Sequence, residues 1–168
     1  MTDWVKASNP TAPITTEVEA TAAARASAIA IFLGVLWAIW GVIYLATDGA
    51  AMIEAAQAQA VAQNPEAEGM GGIVTSLAWG GAIAAVVIQV VLGLVQWFKP
   101  NVIIPIIFTI LIVYGLGSTL MLLMNADGAA GMGPMWQVVV GIVIMIIELI
   151  LHISGIRGAS ALSKFREG

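Results

Sequence analysis

Four long apolar stretches constrain this chain more than any other feature of its sequence. A helix rises 1.5 Å per residue, so about 20 apolar residues are needed to cross a hydrocarbon core of roughly 30 Å. Inside lipid the backbone must satisfy its own hydrogen bonds, so each stretch is predicted to be a helix. The predicted spans are 26–46, 73–98, 102–124 and 135–154.

The composition agrees with a bilayer as solvent and removes several classes of function. The chain is 60% hydrophobic and 10% charged, whereas soluble domains are about 45–50% apolar and about 25% charged. Its net charge of −4 argues against nucleic acid as a partner, because binding phosphates needs a basic patch. With no cysteine and one histidine, thiolate and multi-histidine metal sites are not expected. We expect no cofactor; a b-type haem held by His152 of two chains is conceivable only in an oligomer.

The domain organisation follows from the spans. Residues 1–24 form a polar N-terminal tail that becomes helical from about residue 17, where Thr16 and Glu19 make a capping-box pattern. The first part of this tail is rich in Thr, Pro and Ala and is expected to be mobile. Residues 25–156 form one domain of four transmembrane helices with short loops, and 157–168 form a short basic tail. The prediction is an all-α integral membrane four-helix bundle.

The connections between the spans carry residues that break helices. A polar break at 99–101 is tight, so spans two and three are expected to form an antiparallel hairpin. Pro105 falls in the first turn of span three, where a missing N–H costs little. Residues 50–62 could form a surface helix with Asp48 as its cap. A glycine-rich loop at 125–134 precedes span four.

The basic residues indicate the orientation of the chain. All six Lys and Arg residues lie on one side of the four-span arrangement, while the two loops on the other side hold only acidic charges. Because Lys and Arg accumulate on the cytoplasmic side, both termini are predicted to be cytoplasmic. The short loops and the alanine-rich, cysteine-free composition suggest a bacterial inner membrane. The six residues are Lys6, Arg25, Lys99, Arg157, Lys164 and Arg166.

Small residues recur at the spacing of helix-packing faces. Span one carries one at every fourth position, which forms a ridge suited to close approach by another helix. Gly141 and Gly155 lie on nearly the same face of span four as Glu148. The pattern leaves open whether the neighbouring helix belongs to this chain or to another subunit. The ridge is Ala22, Ala26, Ala30, Gly34 and Ala38, and a second small face in span two is Gly80, Gly81, Ala84 and Ala85.

One pair of ionisable side chains lies inside the predicted membrane region. Glu148 and His152 are four residues apart in span four and therefore share one helical face. A charge at the bilayer centre costs roughly 2.5–3.5 kcal/mol on insertion scales, so this pair needs partners within protein. Gln89 and Thr109 are predicted to lie at the same depth and could hydrogen-bond the carboxyl group. The pair is either a proton or ion site or a polar clamp that fixes the helix register.

Two functions of different classes fit these features. The first is a non-catalytic accessory or scaffolding subunit that acts through helix–helix contacts, with the lipid bilayer and other membrane subunits or further copies of itself as partners. The alternative is a small proton-coupled transporter or channel component that uses Glu148 and His152. No Ser–His–Asp set, zinc motif or P-loop is visible in the sequence, so we expect no enzymatic activity.

Overall fold

The fold is helical throughout. The computed structural model describes residues 3–64, 69, 71–125 and 134–167, and no strand occurs among them. In chain order the helices are α1 Trp4–Ser8, α2 Glu17–Thr47, α3 Gly49–Gln63, α4 Gly71–Phe98, α5 Ile103–Leu123 and α6 Met135–Glu167. Helices α2, α4, α5 and α6 are long and apolar enough to cross a membrane. The predicted all-α fold with four membrane-spanning helices is confirmed.

Two of the four spanning helices, α2 and α6, extend by nine residues or more beyond one end of their predicted spans. Helix α2 has 31 residues and α6 has 33, so each is about 46–50 Å long at 1.5 Å per residue, against roughly 30 Å of hydrocarbon. Helix α6 ends at Glu167, 13 residues after the end of the predicted span at residue 154. Helix α6 thus runs through residues 157–167, most of the segment predicted as a short basic tail. It continues because Gly158, Ala159 and Leu162 are buried against the rest of the protein.

The four spanning helices are arranged in the spatial order α4, α2, α6, α5. Helix α2 packs along both α6 and α4, and α5 packs along α6. Helices α4 and α5 follow each other in the chain, yet within the described residues they do not pack along their lengths. The hairpin expected of spans two and three is therefore open, and a gap separates its two arms. We call the end where α2 and α5 begin and α4 and α6 end the basic end, because the Lys and Arg residues lie there.

The closest approach in the bundle is between α2 and α6 near the basic end. A Cβ atom built at Gly158 would overlap the backbone nitrogen of Ala24, and one built at Gly155 would overlap the Cβ of Ser27. Because only a hydrogen occupies each of these positions, the two backbones come into direct contact. Van der Waals packing of this kind, without help from water, is what joins helices in lipid.

The two small-residue faces have different surroundings. The span-one ridge faces the interior: Ala26 and Ala30 are fully buried, and Gly34 and Ala38 are partly buried. The span-two face is exposed, and a Cβ atom built at Gly80 or Gly81 would meet nothing within 4 Å. Of the two faces, only the span-one ridge packs against other parts of the chain that the structure describes.

The segment before α2 differs from the expected mobile tail. It contains α1, which packs on α2 and α6, and Ser154 donates a hydrogen bond to the carbonyl of Ser8 at 3.0 Å. Arg157 donates hydrogen bonds to the carbonyls of Pro10 and Ala12. The sequence could not predict this docking, because the acceptors are backbone carbonyls, which every residue carries.

Aromatic and ionic contacts add to this docking. The Trp4 ring stacks on Trp97 with centroids 6.2 Å apart, and the Arg25 guanidinium lies 5.3 Å from the centre of the Trp97 ring. Lys6 forms an ion pair with Glu19. The segment therefore covers the basic end of α2 and α4 as well as that of α6.

A fully buried amide closes the connection between α4 and α5. The Gln96 side chain donates hydrogen bonds to the carbonyls of Ala24 and Asn101 and accepts one from the Asn101 backbone N–H. The Asn101 side chain in turn accepts hydrogen bonds from the first backbone N–H groups of α5, those of Ile103 and Ile104, at 3.0 Å. These bonds satisfy donors that an uncapped helix leaves unpaired.

The local signals in the sequence have mixed outcomes. Thr16 caps α2 by accepting a hydrogen bond from the Glu19 backbone N–H at 3.2 Å, so this part of the capping box is confirmed. The Glu19 carboxylate bonds the backbone N–H of Thr15 instead of returning to Thr16. The surface helix is present as α3, although Asp48 makes no side-chain cap there. The loop at 125–134 lies outside the described residues apart from its two ends.

Replacing Gly158 by Ala should destabilise the isolated protein. Alanine is the better helix former by about 1 kcal/mol, but its methyl group would meet the backbone of α2, and overpacking costs about 1–3 kcal/mol. We expect a lower unfolding temperature in detergent than for wild type. Gly80→Ala is the matched control, because the space around Gly80 is open; a Gly158→Ala protein as stable as this control would contradict the packing described here.

Candidate functional site

Three polar side chains from two of the spanning helices meet at a cleft that lies over the α2–α6 pair, in the gap between α4 and α5. The cleft has a volume of about 280 Å³. Three strongly polar side chains line it, those of Glu148, His152 and Gln89. The rest of its lining is mainly apolar and consists of Ala30, Ile31, Gly34, Trp37, Ala38, Phe108, Leu111, Ile112, Ile144 and Met145.

The Glu148 carboxyl group is buried against the ridge of α2. Its side chain is 8% exposed, and its Oε1 atom has no hydrogen-bond partner among the described residues. A Cβ atom built at Gly34 would lie 2.7 Å from this Oε1 and 3.1 Å from the Oε1 of Gln89. The absence of a side chain at Gly34 therefore makes room for two oxygen atoms from two other helices.

The His152 imidazole is completely buried one turn further along α6. Its Nδ1 is 2.7 Å from the Ser27 hydroxyl oxygen, and its ring stacks on Phe108 with centroids 5.3 Å apart. Its Nε2 has no hydrogen-bond partner among the described residues. The ring is thus held in place by one nitrogen and one face, while its second nitrogen is unused.

The structure brings Gln89 to Glu148 but not Thr109. Gln89 lies on α4 at the level of Glu148, as both approach Gly34. The Thr109 hydroxyl donates a hydrogen bond to the Pro105 carbonyl of its own helix at 2.7 Å and does not line the cleft. Serine and threonine in helices often bond the carbonyl four residues earlier in this way.

The predicted packing glycines of α6 lie on either side of this site. Gly155 contacts Ser27, the residue that holds the imidazole. Gly141 is buried on the other side, where a Cβ atom would be 3.5 Å from the indole nitrogen of Trp37. Close packing of α2 on α6 therefore encloses the two ionisable side chains between two glycine contacts.

The described lining of the cleft contains an acidic side chain but no Lys or Arg. The acidic residue is Glu148. Arg157, nine residues beyond Glu148 on α6, is held by carbonyls of the N-terminal segment. The Oε1 atoms of Glu148 and Gln89 accept hydrogen bonds, and a neutral imidazole offers one accepting nitrogen. Such a set can bind a proton, a cation or a hydrogen-bond donor.

Three residues important for this region escaped the sequence analysis: Ser27, Phe108 and Gln96. Ser27 and Phe108 hold the imidazole, and Gln96 joins α4 to α2. Ser27 and Gln96 are polar residues within or at the end of apolar stretches, which is a detectable signal. Phe108 gives no such signal, because an aromatic residue in an apolar span is ordinary.

Comparisons with protein-family models, with curated proteins and with solved structures found no match for this chain. The case for a function therefore depends on the geometry of the chain itself.

Removing the Ser27 hydroxyl should destabilise the protein measurably. Ser27→Ala would leave His152 Nδ1 buried without a partner, and an unsatisfied buried polar atom costs about 1–3 kcal/mol. The same change at Ser163, an exposed residue of α6, should stay within about 0.5 kcal/mol of wild type. Thermal unfolding in detergent measures both variants. Equal unfolding temperatures for the Ser27→Ala and Ser163→Ala proteins would contradict the hydrogen bond between Ser27 and His152.

Proposed function

We propose that this chain is a non-catalytic accessory or scaffolding subunit of a bacterial inner-membrane assembly, with both termini in the cytoplasm. It acts through helix–helix contacts in the bilayer. One observation carries the proposal: the small-residue face of α4 has no neighbour among the described residues. Gly80, Gly81, Ala84 and Ala85 are exposed, and the space around both glycines is open.

The physical reason lies in what glycine costs and what it permits. A glycine in a helix is less favourable than alanine by about 1 kcal/mol, and a lipid-facing surface gains nothing from it. Packing of another helix against this face would offset the cost of the glycines, because small residues let two helix backbones come close together. The sidedness rests on the six Lys and Arg residues, which mark the cytoplasmic side.

Substituting the small face should release the partner without unfolding the chain. Gly81→Leu adds bulk at an exposed position, so co-purification of the partner in mild detergent should fall at least tenfold while the unfolding temperature stays the same. Gly41→Leu is the matched control, because Gly41 is also exposed with open space around it but lies on α2. Mass spectrometry of the co-eluting proteins gives the readout.

Two results would contradict this proposal. One is a wild-type protein that elutes as a homomer with no co-eluting protein. The other is equal loss of partner from the Gly81→Leu and Gly41→Leu variants, which would mean that bulk anywhere on the surface disturbs the assembly.

A second candidate function is a proton-coupled transport component, and the cleft favours it. Glu148 and His152 are nine-tenths buried or more and lie on one face of α6. Each has an atom without a hydrogen-bond partner among the residues that the structure describes. Buried ionisable residues in membranes commonly serve proton or ion movement. In an oligomer, further helices could complete a path that four helices do not enclose.

Glu148→Gln tests this second candidate. The amide keeps the shape of the side chain but cannot exchange a proton, so proton flux into proteoliposomes under a pH gradient should fall to the level of empty liposomes. Glu54→Gln is the control, because it makes the same chemical change at an exposed carboxyl group of α3, away from the cleft. Flux that survives in an intact Glu148→Gln assembly would exclude the proton role.

A further inference from the structure

The unpaired atoms of the cleft are the feature that the helix packing does not explain. Glu148 Oε1 and His152 Nε2 are buried among helices apolar enough to cross a membrane and lack hydrogen-bond partners within the described residues. A buried polar atom without a partner costs about 1–3 kcal/mol. Two such atoms one helical turn apart, both on residues that line one cleft, indicate a bound group that would supply the missing partners.

The position of the cleft determines how such a group would arrive. Its flanks on α4 and α5 are exposed, Ile88 and Leu111 among them, and these two helices do not pack along each other. In a membrane this gap opens towards lipid, so the ligand must itself dissolve in lipid. The volume of about 280 Å³ lies just below the roughly 300–1,000 Å³ of common ligand pockets. It suits a compact polar head, with an apolar tail left in the bilayer.

The charges of the cleft determine the sign of that head. The described lining contains a carboxyl group and neither Lys nor Arg, so an anionic head such as a phosphate would meet no cationic side chain to neutralise it. The oxygens of Glu148 and Gln89 converge beside Gly34, at 2.7 and 3.1 Å from the Cβ position. Two converging acceptors fit a donor. Trp37 and Phe108 add aromatic rings, which attract cations.

We propose that the cleft binds the ammonium group of a lipophilic primary or secondary amine. Glu148 Oε1 and Gln89 Oε1 accept N–H hydrogen bonds from the ammonium group. His152 Nε2 accepts a further one, with the ring proton on Nδ1 donated to Ser27. The tail of the amine leaves between α4 and α5. This inference deepens the second candidate function, since it names a ligand for the same site, but binding is measured without any proton flux and can therefore fail or succeed separately.

The experiment compares decylamine with decanol, which has the same tail and a neutral head. The full chain in dodecylmaltoside is titrated with each compound, and ligand-induced stabilisation is followed as a rise in unfolding temperature. We expect saturable stabilisation by decylamine, with a Kd at least tenfold lower than that of decanol. Equal stabilisation by the two compounds would overturn the proposal, and this comparison needs only the wild-type protein.

Variants and a second cation sharpen the assignment. Glu148→Gln should remove the preference for decylamine, whereas Glu54→Gln, which changes an exposed carboxyl group, should keep it. A preference that persists in folded Glu148→Gln would overturn the role of the carboxyl group. Tetraphenylphosphonium carries a positive charge without an N–H donor, so it should bind at least tenfold more weakly than decylamine. Equal affinity for the two cations would overturn the hydrogen-bonding part of the proposal.

Discussion

Direct backbone contact between α2 and α6 is the constraint on which the rest of the structure depends. In water, burial of apolar side chains would hold two such helices together, but lipid tails are as apolar as leucine and give no such force. Dispersion must replace it, and dispersion is strong only when many atoms lie close together. The contacts of Gly155 with Ser27 and of Gly158 with Ala24 supply that closeness. The N-terminal segment then covers the same end of the pair.

The position of this contact explains why the bundle is uneven. Buried residues are concentrated in the first half of α2 and the second half of α6. In the most apolar stretches of α4 and α5, by contrast, only 6% of the residues are buried. Helix α4 is fastened near its end by Gln96 and by Gly93, which meets Phe32. Within the described residues, α6 is the one spanning helix against which α5 packs extensively. Two helices fastened to opposite sides of a central pair leave a gap between them, and that gap is the cleft.

The sequence was sufficient for the four spanning helices and for the shared level of Gln89 and Glu148, but not for α1, for the extension of α6 or for the rotation of each helix. Span lengths followed from the thickness of the bilayer, and the fixed rise of a helix predicted that Gln89 and Glu148 lie at one level. Rotation about a helix axis decides which side chain at that level faces inward, and here Phe108 faces the site while Thr109 bonds its own helix. The partnership of Ser27 with His152 spans 125 residues, so no local pattern could reveal it. The docking of Ser8 and Pro10 uses carbonyls and has no sequence signature.

The contrast between Gln96 and the pair on α6 separates a structural polar group from a functional candidate. Gln96 is fully buried, and its amide makes three hydrogen bonds with two segments of the chain. That is what a polar clamp requires, because an unsatisfied group would subtract from the stability that the clamp provides. Glu148 and His152 are buried in the same chain, yet each retains an atom without a hydrogen-bond partner in the described part of the chain. A fold that satisfies Gln96 completely and leaves these two atoms unpaired supports a role for them beyond holding helices in register.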